Sequence, residues 1–208
     1  MDNLHVSNNN ISDITPIKGL KKIFSFNAIN NKISDISALA ELTSLEYLCL
    51  TKNNISDISP ISKLLELKTI SLDLNNIIDI SALKDLTKVF LLTISENKIQ
   101  DISSLKNLTK LTFINLNNNM VRDLTPISNL TNLKDLALQC NQVSDISALS
   151  GLINLESVSF ILNQITDITA LENCTKLVTV DVACNKIKDF SILDKLPLLK
   201  NKYIGGNQ

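Results

Sequence analysis

The stretch that decides the fold runs from Leu45 to Leu67 and reads Leu-Glu-Tyr-Leu-Cys-Leu-Thr-Lys-Asn-Asn-Ile-Ser-Asp-Ile-Ser-Pro-Ile-Ser-Lys-Leu-Leu-Glu-Leu. It is one unit of a repeat, because a shift of 22 residues lays the chain on itself without an insertion. An asparagine recurs at positions 9, 31, 53, 75, 97, 119, 141, 163, 185 and 207. An aspartate recurs in step at positions 13, 35, 57, 79, 101, 123, 145, 167 and 189. Such a fixed period means that each unit adopts nearly the same conformation and stacks on its neighbours.

The first part of the unit has the pattern of a short β-strand with one buried face. Leu48 and Leu50 alternate with other side chains, and this period of two places both leucines in a core. The side chains between and after them, which are Tyr47, Cys49 and Thr51, face solvent. Stacking ten such strands gives a parallel sheet roughly 45 Å long at ~4.8 Å per strand. The period and the frame LxxLxLxxNxI together predict a leucine-rich-repeat solenoid of the α/β class.

The return half of the unit has a period of three. Ile55, Ile58 and Ile61 are followed by Leu64 at the same spacing, which suits a tight 3₁₀ turn better than a long α-helix. A serine or threonine recurs two residues after each aspartate, and proline follows it in three units. Because proline lacks an N–H group, we interpret the serine as an N-cap and the proline as the first residue of the turn.

The recurring asparagine ends each strand where the chain turns inward. Its amide both donates and accepts hydrogen bonds, so it can satisfy buried backbone groups in its own turn and in the next unit. The predicted ladder consists of Asn31, Asn53, Asn75, Asn97, Asn119, Asn141, Asn163 and Asn185, with Asn9 and Asn207 at its ends.

Two stretches carry a family resemblance, residues 53–61 (Asn-Asn-Ile-Ser-Asp-Ile-Ser-Pro-Ile) and residues 143–152 (Val-Ser-Asp-Ile-Ser-Ala-Leu-Ser-Gly-Leu). They resemble the 22-residue leucine-rich repeat of the internalins, which are bacterial surface proteins. The resemblance implies a curved superhelix with the sheet on its concave face, 3₁₀ turns on its convex face, and protein binding through concave side chains. The chain departs from the internalin pattern in its four cysteines, and we expect neither the helical cap nor the immunoglobulin-like domain of internalins within residues 1–208.

Composition excludes several classes of function. The chain has 208 residues and a net charge of −1, which argues against nucleic acid as a partner. No apolar run reaches the ~18 residues of a membrane helix. We therefore expect one repeat domain over residues 1–208, without membrane insertion.

The first residues do not resemble a signal peptide, which predicts a cytoplasmic protein if the chain is complete and a secreted or cell-surface protein if it is a fragment. Cys49, Cys140, Cys174 and Cys184 are expected to be free thiols.

The candidate residues for catalysis or metal binding have simpler explanations. One carboxylate per unit supplies too few oxygen ligands for Ca²⁺. Each aspartate of the recurring column is instead expected to accept hydrogen bonds from backbone groups of its own turn. His5, the only histidine, shares an outward column with Cys49 two strands away, which is too far for a catalytic pair. Cys174 replaces a core leucine. We expect no enzyme activity, no metal and no cofactor.

The predicted concave face is where the repeats differ from one another. Tyr47, Leu91 and Phe113 share one outward column, and exposed aromatic side chains often anchor protein partners. The three aspartates at positions 73, 135 and 181 suggest a basic or neutral partner. The candidate partner-binding residues are Tyr47, Thr69, Asp73, Leu91, Thr93, Phe113, Asn115, Asn117 and Asp135.

These patterns favour a non-enzymatic module that binds a protein through its concave sheet. An intracellular scaffold, such as a phosphatase-regulating leucine-rich-repeat subunit, remains an alternative. A self-assembling repeat protein is another, because Leu4 and Leu199 lie in terminal units without a polar cap and could support end-to-end association. The same patterns predict that Thr93→Ala, a change on the outward face, is nearly silent.

Overall fold

A computed structural model of the protein describes residues 2–207. Ten short strands form one parallel sheet in which each strand pairs with the next along the chain. The strands are β1 (Asp2–His5), β2 (Ile23–Asn27), β3 (Tyr47–Cys49), β4 (Thr69–Ser71), β5 (Leu91–Thr93), β6 (Phe113–Asn115), β7 (Asp135–Ala137), β8 (Ser157–Ser159), β9 (Thr179–Asp181) and β10 (Asn201–Tyr203). The register advances by one repeat per strand, so that Tyr47 pairs with Thr69 and Thr69 with Leu91.

The connections between strands each contain one 3₁₀ helix. They are η1 (Thr15–Ile17), η2 (Ser37–Glu41), η3 (Ser59–Lys63), η4 (Ser81–Leu83), η5 (Ser103–Asn107), η6 (Thr125–Ile127), η7 (Ser147–Leu149), η8 (Thr169–Leu171) and η9 (Ser191–Lys195). The period of three therefore predicted the turn type correctly. Within residues 2–207 the helical part of this α/β solenoid is entirely 3₁₀, and no helix there is long and apolar enough to cross a membrane.

The core lies between the sheet and the 3₁₀ layer. Leu48 and Leu50 from the strand, and Ile55, Ile58 and Ile61 from the return half, are all at most 1% exposed. The corresponding positions of the other central units are buried in the same way, which gives one continuous core along the solenoid. The sheet forms the concave face of the curved solenoid and the 3₁₀ turns form its convex face.

The last strand forms although Lys202 occupies a core position of the repeat. The same position is apolar in the other units, as at Leu48 and Val180. In the structure β10 pairs with β9 in the normal register, with Lys202 beside Val180. The Lys202 ammonium group instead reaches Asp194 at 2.6 Å on the surface, so the backbone pattern continues without an apolar side chain.

Each strand is followed by a residue in the left-handed conformation, directly before the recurring asparagine. Its φ is +60° at Lys52 and +56° at Leu74. The same conformation occurs at Asn8, Asn30, Glu96, Asn118, Cys140, Leu162, Cys184 and Gly206. The sequence did not predict this turn, because glycine occupies the position in only one unit. A strained backbone at this point turns the chain sharply into the core.

The asparagine ladder is confirmed, with one correction to its direction. The Asn53 Oδ1 atom accepts a hydrogen bond from the Ile33 amide at 3.0 Å, and Nδ2 donates to the carbonyls of Ala28 and Leu50, both at 3.0 Å. Ile33 and Ala28 belong to the preceding unit, whereas the sequence suggested the next one. An equivalent hydrogen bond, donated by a backbone amide of the preceding unit, is accepted by the Oδ1 atoms of Asn31, Asn75, Asn97, Asn119, Asn141, Asn163 and Asn185.

The recurring aspartates accept hydrogen bonds within their own turns, as predicted. Asp57 Oδ1 accepts from the Ser59 amide at 2.7 Å, and Ser59 Oγ donates to Oδ2 at 3.0 Å. All nine aspartates make the first of these bonds. The interpretation of the serine as N-cap was wrong, because Ser59 is the first residue of η3 and the N-cap position is Ile58, which makes no side-chain cap. The aspartate holds the turn in place of a cap.

Candidate functional site

The concave face consists of three outward columns of side chains, one residue per unit in each. The first column contains Asn3, Ser25, Tyr47, Thr69, Leu91, Phe113, Asp135, Ser157, Thr179 and Asn201. The second contains His5, Asn27, Cys49, Ser71, Thr93, Asn115, Ala137, Ser159, Asp181 and Tyr203. The third contains Ser7, Ile29, Thr51, Asp73, Ser95, Asn117, Gln139, Ile161, Ala183 and Gly205. The strand pairs place the members of the first two columns side by side across the sheet.

Three large side chains of the first column, those of Tyr47, Leu91 and Phe113, lie on the concave face. Tyr47 is 36% exposed, and Leu91 and Phe113 are half-buried neighbours on adjacent strands. Thr69, also half-buried, lies between Tyr47 and Leu91 in the register. We refer to Tyr47, Leu91 and Phe113 as the apolar column. It forms the main apolar feature of a face whose other outward side chains are mostly small and polar.

Two aromatic residues next to the apolar column were missed by the sequence reasoning. The Phe24 ring meets the Tyr47 ring edge-on, with centroids 5.1 Å apart and an interplanar angle of 69°. Phe90, directly before Leu91, is 38% exposed. Phe24 lies within β2 and Phe90 directly before β5, but both occupy the repeat position immediately before the first outward column. The strict alternation of inward and outward side chains did not include that position. That position is as variable among the repeats as the outward columns, and this variability was the available signal.

The Asp73 carboxylate is held by neighbouring units. Its Oδ1 accepts from the Ser95 amide at 2.7 Å and from Ser95 Oγ at 2.6 Å, while Oδ2 accepts from the hydroxyl groups of Thr93 and Thr51. Asp73 therefore joins three consecutive strand ends. This arrangement overturns the expectation that Thr93→Ala is nearly silent, because the Thr93 hydroxyl is one of the donors.

The candidate amides are also partly engaged in internal bonds. Asn117 Oδ1 accepts from the Gln139 amide of the following unit at 2.7 Å. Asn115 Oδ1 accepts from the Asn117 amide at 3.0 Å. Gln139 Nε2 donates to Ser159 Oγ at 2.8 Å. The polar side chains of the sheet face thus form a network that fixes their orientation.

Asp135 differs from Asp73 in its surroundings. It is half-buried, and no donor among residues 2–207 bonds its carboxylate. Burial raises the pKa of Asp135, the Glu156 carboxylate raises it further, and Lys134 opposes both. Lys134 is itself paired with Glu156 at 2.8 Å. A second ion pair at the same position of the repeat joins Lys68 to Glu46 at 2.6 Å.

The cysteines and the histidine form no metal-binding group within the described part of the chain. All four cysteines are free thiols, and Cys174 is fully buried. Burial raises the pKa of Cys174 to about 11, and its Sγ atom lies 3.6 Å from the carbonyl oxygen of Leu149. Cys174 is thus a core residue, as predicted. His5 and Cys49 lie in the same column on β1 and β3, with Asn27 of β2 between them in the register.

Comparison with known proteins places these repeats in a family. A model of paired leucine-rich repeats matches residues 22–63, 43–85, 87–129, 109–151 and 153–195. The chain belongs to the leucine-rich-repeat family. Its repeats are of the internalin type, because an internalin (inlF) from Listeria monocytogenes is 35% identical to it, with a TM-score of 0.81 over 99% of this chain and 67% of that one. A second Listeria monocytogenes structure, internalin C2, is 34% identical, with a TM-score of 0.84 over 86% of this chain and 80% of that one.

More distant leucine-rich-repeat structures share the fold alone. A leucine-rich-repeat protein of Leptospira interrogans has a TM-score of 0.94 at 22% identity, over 99% of this chain and 55% of that one. The plant peptide hormone receptor RGFR1, solved in complex with RGF2, has a TM-score of 0.86 at 22% identity, over 99% of this chain and 36% of that one. No curated protein sequence matches the chain significantly.

Proposed function

We propose that this leucine-rich-repeat protein is a non-enzymatic interaction module that binds a partner protein through its concave sheet. The observation that carries the proposal is the apolar column. Aromatic and aliphatic side chains that stand partly exposed on a small, polar, rigid surface are typical anchors of protein binding. The bonds around Asp73 and Asn117 keep the surrounding side chains in place, so a partner would meet a preorganised face.

The fold relatives support this class of function. The receptor RGFR1 was solved in complex with RGF2, and the GASSHO1 ectodomain from Arabidopsis thaliana was solved in complex with CASPARIAN STRIP INTEGRITY FACTOR 2. Those proteins are 22% and 18% identical to this chain, so their ligands do not transfer to it. They support only the proposal that such a solenoid serves as a binding surface. The position that we propose for binding, near β2 to β6, rests on the apolar column of this chain and on the neighbouring Phe24 and Phe90.

The test is a pull-down with three proteins, read by quantitative mass spectrometry. The first is the wild type, and the second replaces the apolar column with alanine (Tyr47→Ala, Leu91→Ala and Phe113→Ala). The third is a matched control that replaces three exposed apolar residues outside the sheet face (Leu65→Ala, Ile78→Ala and Ile153→Ala). We expect a partner that the wild type and the control capture and the apolar-column variant loses. A partner that survives the apolar-column changes and is lost with the control would place binding outside the concave face and contradict the proposal.

A further inference from the structure

Charge is distributed unevenly between the concave face and the rest of the molecule. The three outward columns contain Asp73, Asp135 and Asp181 but no lysine or arginine. The whole chain has 20 basic and 21 acidic residues, so the remainder has 20 basic and 18 acidic ones. The sheet face thus carries a net charge of −3 within a chain of −1, while the rest carries +2, with His5 counted as neutral.

The three carboxylates are not equivalent. Asp73 accepts bonds from Thr51, Thr93 and Ser95, and Asp181 Oδ1 accepts from the Ala183 amide at 3.2 Å. Asp135 accepts no bond from residues 2–207 although it is half-buried. A partly desolvated carboxylate without a donor costs free energy that an arriving donor recovers, most of all a charged one. Burial and Glu156, which raise the pKa of Asp135, are signs of the same cost.

Asp135 has one aromatic neighbour and three small ones on the sheet face. On one side lies Phe113 and on the other Ser157, both in direct register with it. The second column is small here, with Ala137 and Ser159. An aromatic ring on the strand next to a carboxylate suits an ammonium or guanidinium group, which can pair with the carboxylate and contact the ring. The nearby cation Lys134 is held by Glu156 and does not fill the role.

We propose that Asp135 and Phe113 form a subsite for a lysine or arginine side chain, and that the concave face binds a basic segment of a partner protein. This inference rests on the proposed function, because it assigns a chemistry to the same face. It differs from the apolar anchoring at Tyr47 and Leu91 in requiring charge. The subsite lies at the C-terminal end of the apolar column, so a bound segment would place its apolar and basic residues side by side across β3 to β7.

The test uses peptides selected on the protein itself. A library of random 12-residue peptides displayed on phage is enriched on the full wild-type chain, and the enriched peptides are synthesised with a fluorescent label. Their affinities are then measured by fluorescence polarisation for the wild type, Asp135→Asn, the apolar-column variant and Glu172→Gln. Asp135→Asn preserves the shape of the side chain. Glu172→Gln removes the same unit of charge from an exposed site directly after η8, which makes it the matched control.

We expect the enriched peptides to share a lysine or arginine, and Asp135→Asn to weaken their binding at least about tenfold while Glu172→Gln changes it less than twofold. Replacing the shared basic residue by glutamine should cause the same loss, with no further loss on Asp135→Asn. Peptides that the apolar-column variant loses but Asp135→Asn still binds at full strength would overturn the subsite and leave the proposed function standing. Peptides that neither variant weakens, or the absence of any enriched peptide, would overturn both.

Discussion

At the scale of single residues, one side chain per unit bonds several of the polar backbone groups that the turn buries. Asn53 bonds one amide and two carbonyl groups at 3.0 Å, across two units. An amide side chain suits this position because its NH₂ group donates to two carbonyl groups while its oxygen accepts from a backbone amide. This requirement explains why the sequence shows asparagine without exception at this position while the outward residues vary.

Asn53→Ala should destabilise the solenoid by at least ~2 kcal/mol, because it leaves the Ile33 amide and two carbonyl groups buried without partners. The adjacent Asn54→Ala is the matched control, since Asn54 is exposed, and it should stay within ~0.5 kcal/mol of the wild type. Urea unfolding followed by circular dichroism measures both. Equal midpoints for the two variants would contradict the assigned geometry.

Thr93→Val should destabilise the protein by about 1 kcal/mol, because the half-buried Asp73 carboxylate loses a hydroxyl donor. Valine keeps the β-branched shape, so the strand propensity is retained. Thr69→Val, on the adjacent strand and likewise half-buried, is the control and should have little effect. If both variants unfold at the same urea concentration, the Asp73 network contributes nothing to stability.

Leu74→Asn should stabilise the protein by about 0.5–1 kcal/mol, because leucine at a φ of +56° is strained and asparagine tolerates this conformation. Leu74 is 40% exposed, so little apolar burial is lost. The control is Leu65→Asn, which removes a comparably exposed leucine at a position without positive φ. A gain at position 65, or a loss at position 74, would show that strain is not the deciding factor.

At the scale of elements, the 3₁₀ turns depend on ionised aspartates. Hydrogen bonds from the residue two positions later lower the pKa of Asp13, Asp35, Asp123, Asp145 and Asp189. A carboxyl group whose pKa is lowered on folding stabilises the folded state at pH values above its unfolded pKa. That contribution disappears as the pH falls through the folded-state pKa.

The urea midpoint should therefore fall as the pH is lowered below 3.8, the ordinary pKa of an aspartate side chain. Asp135 acts in the opposite sense, because its pKa is raised, but it is one group against five. Asp35→Asn should make the decline shallower, since asparagine still accepts the Ser37 amide without titrating. Unfolding curves measured between about pH 6 and pH 3 test this expectation. A midpoint independent of pH over that range would contradict the role of the aspartates.

The elements also show which features could be predicted from the sequence. A constant period of 22 residues determines strand order and register, because an uninterrupted repeat leaves no other alignment of Tyr47, Thr69 and Leu91. The burial of Leu48 and Leu50 could be predicted because they alternate with outward side chains along the strand. The left-handed turn at Leu74 could not be predicted, since its side chain gives no sign of positive φ.

Features that depend on contacts between units could not be predicted from the sequence either. The Asp73 network requires the hydroxyl groups of Thr51 and Thr93 to converge on one carboxylate, which spacing alone does not determine. The direction of the asparagine bonds, toward the preceding unit, depends on how the turn tilts against the strand. The candidate concave residues themselves stay a prediction until the binding experiments are done.

At the scale of the whole molecule, the strands of residues 2–207 pair in the order of the chain, each unit with the next. The effect of a substitution in one unit on the stability of the others should therefore decrease with distance along the stack. Asn97→Ala should accelerate hydrogen exchange most at the Ile77 amide, which loses its acceptor at 2.9 Å. The equivalent amides of Ile33 and Ile165 should keep their protection. Uniform loss of protection across all three would instead indicate that the solenoid unfolds as one cooperative body.

End-to-end association of the solenoid stays a prediction, which sedimentation over a range of concentrations would test.

The uninterrupted period has an evolutionary consequence. Because each unit begins and ends with the same backbone geometry, an in-frame duplication or loss of one repeat would leave the core and the ladder intact. Such an event between β3 and β7 would change the separation of Tyr47 from Asp135 by one strand spacing, ~4.8 Å. The number of repeats would thus determine the distance between an apolar anchor and a charged one on the concave face. Evolution could change that distance in steps of one strand without altering any contact inside a unit.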